Sequence, residues 1–177
     1  MSTSYTFFSK GAFSPSALVY IGIVESKNSI AENNIKPDFE VNVNRDGLEL
    51  RHKPGTDDAR VLISGKFEGL FKRSARFKDM NIDTTAKRIE LFLSGWSFVD
   101  ENGNKFKWRI PIRRPVWYLR DDNGNIVAEF QRTTFSLGKI GTLVIHNQVP
   151  ELLQPLILLT CKMAHNTVRN SEHGLFI

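Results

Sequence analysis

The sequence predicts a mainly β domain in which an antiparallel barrel closes around one hydrophobic C-terminal helix. Short runs that alternate apolar and polar residues are separated by Asp-Gly, Pro-Gly and Asn-Gly turns, a pattern typical of hairpins. Near the C-terminus, residues 150–168 are apolar on nearly every face, so this helix should be surrounded by protein. Phenylalanine is abundant, at 13 of 177 residues, and large aromatic side chains suit a packed β interior.

The chain length suits one domain. Residues 1–16 are rich in small residues and are predicted to be a loosely ordered N-terminal segment, followed by a single barrel domain over 17–177. A domain of about 150 residues buries roughly 70% of the surface that its unfolded chain exposes. It therefore needs no disulfide or metal to fold.

The first strands follow from apolar runs and turn residues. Residues 17–24 are apolar and too short for a helix, which predicts a strand, and the polar stretch 25–38 predicts a loop. Residues 39–43 and 48–52 both alternate. They are joined at Asp46-Gly47, where we expect the positive φ angles of a tight hairpin.

The middle of the chain gives two further strands and one unassigned stretch. After a loop at 53–58, residues 60–69 predict a strand. Residues 70–86 fit a basic loop or an irregular strand, and both remain open. Residues 89–99 predict one long strand that ends in a turn at 100–104.

Residues 105–110 alternate strictly, which places Lys105, Lys107 and Arg109 on one face and apolar residues on the other. Pro111 and Pro115 then interrupt the ladder.

Two more hairpins are predicted. Residues 116–120 and 126–130 are joined through Asn123-Gly124, and the segments 133–137, 138–141 and 142–146 together suggest a further hairpin.

The C-terminal helix has favourable start residues. Asn147 can cap it, and Pro150 suits an early helical position because its missing N–H would be unbonded there. Pro155 is tolerated if it still lies in the first turn. The apolar stretch 152–164 is interrupted by polar residues and is too short for a bilayer span of about 20 residues. We therefore predict a buried core helix and no transmembrane span.

The lone cysteine, Cys161, excludes an intrachain disulfide and favours a reducing compartment, so we predict a cytoplasmic protein. The N-terminus lacks the basic head and apolar core of a secretory signal. The formal net charge of +5 favours anionic partners only if the basic residues cluster.

No catalytic or metal-binding pattern stands out. The four histidines lack metal spacing relative to Cys161, and the pairs Asp57-Asp58 and Asp121-Asp122 lie in turns. The sequence has neither a P-loop nor a Gly-x-Ser-x-Gly elbow. We therefore predict a non-enzymatic protein with no cofactor and no metal.

The strongest local feature is positive charge. Residues 105–120 hold six basic residues and no acid: Lys105, Lys107, Arg109, Arg113, Arg114 and Arg120. A second cluster comprises Lys72, Arg73, Arg76 and Lys78. Rows of Lys and Arg can pair with phosphates, which makes Lys105, Lys107, Arg109, Arg113, Arg114, Lys72 and Arg73 the candidate anionic-headgroup ligands.

Two other interpretations of the basic and aromatic residues compete with phosphate binding. Charged rows also solubilise an exposed face and protect strand edges from aggregation. Trp96, Trp108 and Trp117 could form a stacking platform for single-stranded nucleic acid, although aromatic residues that alternate with charges more often form a buried face.

Four segments resemble the tubby C-terminal-like superfamily. They are Phe106-Lys-Trp108, the run from Trp117 through the Asp-Asp-Asn-Gly turn to Phe130, Gly141–Ile145 and the apolar helix. That superfamily includes tubby, phospholipid scramblases and plant LURP-one-related proteins, and the resemblance extends to an uncharacterised fungal branch. The resemblance covers roughly the last 70 residues. It implies a twelve-stranded barrel threaded by the helix, and phosphoinositide binding by surface Lys and Arg. The cysteine-rich and calcium-binding segments of scramblases have no counterpart here.

We expect a binding module that is peripheral to an anionic phospholipid membrane. The alternative is a protein-interaction or scaffold domain with no small ligand. Nucleic-acid binding is a lesser alternative. The sequence also argues only weakly against an enzyme with an unrecognised site, because catalytic residues converge in space rather than along the chain.

Overall fold

The computed structural model describes residues 2–11, 14–69, 73–79, 82–89, 95–111, 114–134, 136 and 138–172. Within them, twelve antiparallel strands form a closed barrel in which every strand pairs with its neighbours in sequence. The strands are β1 (Thr3–Ser9), β2 (Ala17–Ile21), β3 (Phe39–Val43), β4 (Gly47–His52), β5 (Arg60–Glu68), β6 (Ser74–Asp79), β7 (Ile82–Ile89), β8 (Gly95–Val99), β9 (Lys105–Arg109), β10 (Val116–Arg120), β11 (Ile126–Arg132) and β12 (Lys139–Ile145). The predicted fold class is confirmed.

The barrel closes around the C-terminal helix, as predicted. A single 3-10 turn, Glu151–Leu153, leads into α2 (Gln154–Glu172). Ten consecutive residues, 156–165, are buried, which is nearly three full turns and leaves no face in water. Burial on every side is the physical reason why this helix lacks a polar stripe.

The start of α2 is set by prolines and by β1. Pro155 is the second residue of α2, so its missing N–H removes no helical bond. Pro150 precedes the 3-10 turn without a side-chain cap, and the predicted capping role of Asn147 is therefore wrong. The Tyr5 hydroxyl donates to Gln154 Oε1 at 2.7 Å and ties the first turn of the helix to β1.

Two tryptophans join the barrel wall to the helix. Trp108 Nε1 donates to Thr160 Oγ1, and Trp96 Nε1 donates to Thr167 Oγ1, both at 3.1 Å. A buried indole N–H without a partner would be costly, so these bonds allow large aromatic rings to fill the interior. The predicted buried face of Trp96, Trp108 and Trp117 is confirmed, and an exposed stacking platform of these rings is excluded.

The N-terminal region differs from its prediction. Residues 1–16, expected to be loosely ordered, contain β1, which pairs with both β12 and β2 and closes the barrel. Residues 25–38, expected to be a loop, contain a short helix, α1 (Lys27–Glu32). The Ser26 hydroxyl accepts from Ser29 N at 3.1 Å, and this cap allows a polar segment to begin a helix.

The described part of residues 70–86 is mostly strand, which is one of the two alternatives left open. The single strand predicted at 89–99 is wrong, because Ile89 ends β7 and pairs with Gly95 of β8. β6 and β7 pair as a hairpin over most of 74–89, and β8 starts only at Gly95. Part of the predicted long strand, 90–94, lies outside the described residues.

The predicted hairpin at 133–146 is wrong in its first half. β11 extends to Arg132 and pairs directly with β12, which begins at Lys139, so none of the described residues between them forms a strand.

Gly47 is required for a different reason from the expected one. Its φ is not positive, but a Cβ there would lie 2.2 Å from the backbone oxygen of Gly65. Glycine therefore allows β4 and β5 to approach each other closely at this point.

Candidate functional site

The predicted alternation in β9 is confirmed. Lys105, Lys107 and Arg109 are exposed on the outer wall, while Phe106 and Trp108 are buried against the helix. The inner aromatic residues anchor the strand, so the three basic side chains share one fixed outer face.

The register adds a fourth cation to this row. Arg120 on β10 lies directly opposite Lys107, and Tyr118 lies opposite Arg109. On the other side, β8 places Ser97 opposite Lys107 and Val99 opposite Lys105. The outward positions of β8–β10 therefore carry four cations and no carboxylate. We call Lys105, Lys107, Arg109 and Arg120 the basic face.

No described carboxylate forms an ion pair with the basic face. Across the described residues, no carboxylate lies within ion-pair distance of Lys105, Lys107 or Arg109. The guanidinium of Arg120 is held by uncharged partners. Its Nη1 donates to the Gly124 oxygen at 2.6 Å, and the guanidinium lies 5.9 Å from the centre of the Tyr118 ring. Like charges directly opposite each other destabilise a sheet, so the Lys107–Arg120 pair has a cost for the isolated fold.

Lys87 extends the row onto β7. Lys87 pairs with Ser97, and Ser97 pairs with Lys107. Two strand spacings separate the lysines, or about 10 Å. On the opposite side the face ends at β11, where Glu129 contacts His146 Nε2 at 3.3 Å.

The acids beside the basic face serve the turns. The Asp100 carboxylate accepts from the backbone N–H groups of Asn102 and Asn104 at 2.9 and 2.8 Å. Hydrogen bonds from Asn125, chiefly from its side chain, lower the pKa of Asp121. Asp122 Oδ2 accepts from Lys105 N at 3.2 Å. These carboxylates shape the hairpins, as expected of Asp in turns.

The second basic cluster is partly neutralised. Arg76 donates two bonds of 3.1 Å to the Asp83 carboxylate. Those bonds raise the pKa of Arg76 and lower the pKa of Asp83. Arg73 is exposed just before β6, three strand spacings or about 14 Å from β9. The two clusters are therefore separate on the wall.

Of the three remaining predicted ligands, the structure describes only Arg114. Arg114 is exposed in the β9–β10 connection, beyond the end of β9 that carries Arg109. Lys72 and Arg113 lie outside the described residues. Of the seven candidate ligands, the structure brings Lys105, Lys107, Arg109 and Arg114 to one side of the barrel.

Sequence reasoning missed the polar cluster inside the barrel. Lys162 is almost fully buried, and its Nζ donates to Asn166 Oδ1 at 2.7 Å and lies 3.5 Å from His165 Nδ1. No described carboxylate pairs with it. Burial, and secondarily Arg169, lowers the pKa of Lys162 to about 7. Burial and the nearby Lys162 hold the pKa of His165 well below its usual value. The available signal was a lysine within an otherwise apolar helical stretch.

Lys162 does not form a reactive site. Only 1% of its surface is exposed, so a substrate could not reach the amine without opening the barrel. Among the described residues, no group of three His, Cys, Asp or Glu side chains could hold a metal ion. None of the described helices is long and apolar enough to cross a lipid bilayer.

Comparisons with protein-family models, with curated proteins and with solved structures found no match to this chain.

Proposed function

We propose that this protein is a non-enzymatic binding module that attaches peripherally to anionic phospholipid through the basic face. The observation that carries the proposal is the set of four outward cations on the adjacent strands β9 and β10, with no carboxylate among the outward residues of β8–β10. A fold that needed only solubility would gain from mixed charges, because opposed cations repel each other.

The geometry suits a broad, flat anionic ligand. Neighbouring side chains among the four lie about 5 to 7 Å apart on a convex wall, which matches a headgroup layer better than one enclosed molecule. Near an anionic leaflet each basic residue contributes about 1 kcal/mol, so four residues support weak and reversible attachment. Such binding should weaken as salt rises, because exposed charges are screened over about 10 Å at 0.1 M ionic strength.

The fold is the one that the tubby-like resemblance implies, including the apolar helix threaded through twelve strands. We propose remote membership of that superfamily on this agreement and on the residues quoted above. We also propose that the protein acts in the cytoplasm, since its single thiol is buried and forms no disulfide.

Liposome sedimentation tests the proposal. The wild-type protein should sediment with vesicles that contain phosphatidylserine or a phosphoinositide and stay in solution with phosphatidylcholine alone. The triple variant Lys105→Glu, Lys107→Glu, Arg109→Glu should lose most of this binding. The matched control, Lys36→Glu, Arg60→Glu, Lys66→Glu, makes the same charge change at exposed positions outside the basic face and should retain most of it.

Equal loss of vesicle binding in the two triple variants would show that only net charge matters and would contradict a role for the basic face. A wild-type protein that ignores every vesicle yet captures a stable protein partner would support the scaffold alternative. Competition by an oligonucleotide, with equally steep salt dependence, would instead indicate nucleic-acid binding.

A further inference from the structure

The antiparallel meander sorts the strand connections to two ends of the barrel. Thr3 pairs with Ile145 at the end where the chain enters the helix, which we call the entry end. At the opposite end, the exit end, Asn166 Nδ2 donates to the Pro15 oxygen. Arg132 donates two 2.6 Å bonds to Glu172 there, so the last turns of α2 lie at the exit end.

The entry end is acidic. Three of its connections, 53–59, 100–104 and 121–125, each contain two adjacent carboxylates. These acids are Asp57, Asp58, Asp100, Glu101, Asp121 and Asp122, and Glu151 follows in the 3-10 turn. The acids at this end also include Asp38, and together they outnumber its described cations, which are Lys36, Lys53, Arg60, Lys78, Lys105 and Arg120. Lys53 is also partly neutralised, since it lies 3.7 Å from Asp58.

The exit end is basic. Its described strand ends, connections and final helical turns include Arg45, Arg109, Arg114, Arg132, Lys139 and Arg169. The described acids there are Asp46, Glu68 and Glu172, and Glu172 is bonded to Arg132. The barrel therefore carries a charge separation along its axis in addition to its lateral basic face.

The two features meet at one corner. From β9, the basic face continues through Arg109 to Arg114 at the exit end. In the other direction, Lys105 is followed by the acidic turns at Asp100-Glu101 and Asp121-Asp122. An anionic surface laid flat along β9 would contact both cations and acids. Tilting the barrel toward the exit end keeps Lys107, Arg109 and Arg114 in contact with the surface. It lifts the acids away, together with Lys105 and Arg120 beside them.

We propose that the protein meets an anionic phospholipid bilayer with the exit-end corner of the basic face, and that the entry end points away from the membrane. This inference rests on the proposed phospholipid binding and adds the orientation. Strands of five to nine residues span about 16–30 Å, so tilting moves the acidic turns more than one screening length of about 10 Å from the surface.

Single-cysteine labelling measures the orientation directly. Thr134→Cys places a fluorophore at the exit end, and Asn102→Cys places one at the entry end; both native side chains are exposed and their substitution removes no described hydrogen bond. Cys161 can stay, because burial raises the pKa of its thiol and keeps it from reagents. The wild-type chain under identical conditions is the control for unwanted labelling.

The readout is quenching by vesicles of phosphatidylcholine and phosphatidylserine that carry a nitroxide on the lipid headgroup. The label at position 134 should be quenched several times more strongly than the label at position 102. Equal quenching, or stronger quenching at position 102, with vesicle binding retained would overturn the orientation but leave the proposed function standing. Loss of binding by the wild-type chain in sedimentation would overturn both.

A pair of charge-reversal substitutions tests the same orientation. Arg109→Glu with Arg114→Glu, both at the exit-end corner, should lower vesicle partition by about fivefold per residue, the effect expected for a basic residue near the surface. The matched pair at other exposed positions, Lys36→Glu with Arg60→Glu, should lower it far less. Equal loss in both pairs would contradict the tilt.

Discussion

Lys162 shows what one buried polar side chain costs this fold. Its amine lies inside the barrel with an amide oxygen as its partner and no described carboxylate nearby. A buried ammonium is penalised unless an anion compensates it, and the depressed pKa of about 7 expresses that penalty. Near neutral pH, the amine is therefore partly uncharged in the folded protein and charged in the unfolded chain.

This arrangement makes stability depend on pH. Because the folded pKa of Lys162 lies below the usual 10.5, the unfolded state binds more protons between pH 7 and 10.5. The free energy of unfolding should therefore rise as pH increases through that window. His165 acts in the same direction below pH 6.5, since its folded pKa is also lowered. Urea unfolding between pH 6 and 9.5 measures the slope.

Lys162→Met should remove most of the slope above pH 7. At pH 6 it should stabilise the protein by roughly 3–5 kcal/mol, because methionine fills similar volume without a charge and about 1.4 kcal/mol corresponds to one pKa unit. A surface substitution, Lys36→Met, is the control and should leave the slope unchanged. A Lys162→Met protein that is less stable than wild type at pH 6 would contradict the interpretation.

At the scale of the element, α2 depends on the hydrogen bonds that join it to the wall. Thr160 accepts from Trp108 and donates to the Leu156 oxygen at 2.8 Å, all within the buried core. Thr167 makes the equivalent bond to Trp96 closer to the exit end, where the helix surface is only half-buried. The two threonines therefore form a matched pair that differs in access to water.

Thr160→Val should destabilise the protein by about 1–3 kcal/mol, because it leaves the Trp108 N–H buried without an acceptor. Thr167→Val should cost less, since water can replace the lost partner of Trp96. Thermal and urea denaturation of both variants would measure the difference. Equal costs would show that the indole bonds contribute little and that shape alone positions α2.

At the scale of the whole molecule, closure depends on β1. This strand covers the gap between β2 and β12, and Phe7 packs edge-on against Phe130 with ring centres 6.0 Å apart. Without β1, two strands would expose unpaired edges and α2 would lose part of its cover.

Removing residues 2–9 should therefore abolish cooperative folding or cause aggregation. Phe7→Ala, a milder change, should cost about 3–5 kcal/mol. Circular dichroism melting and size-exclusion chromatography would measure both effects. A truncated chain that melts as sharply as the full-length protein would show that β1 is dispensable.

The sequence alone predicted features that depend on neighbours along the chain. The alternation of β9, the Asn-Gly hairpin between β10 and β11 and the all-round apolar character of α2 are local patterns, and they determined the fold class and the outward direction of Lys105, Lys107 and Arg109.

Tertiary structure decided everything that depends on which strands meet. Closure by β1, the pairing of Arg120 with Lys107 and the distance of Lys162 from every described carboxylate follow from strand order and register. The same order gathers acidic turns at one end and basic residues at the other. These features join residues that are far apart in the chain, and their energies arise from contacts that form only when the barrel closes.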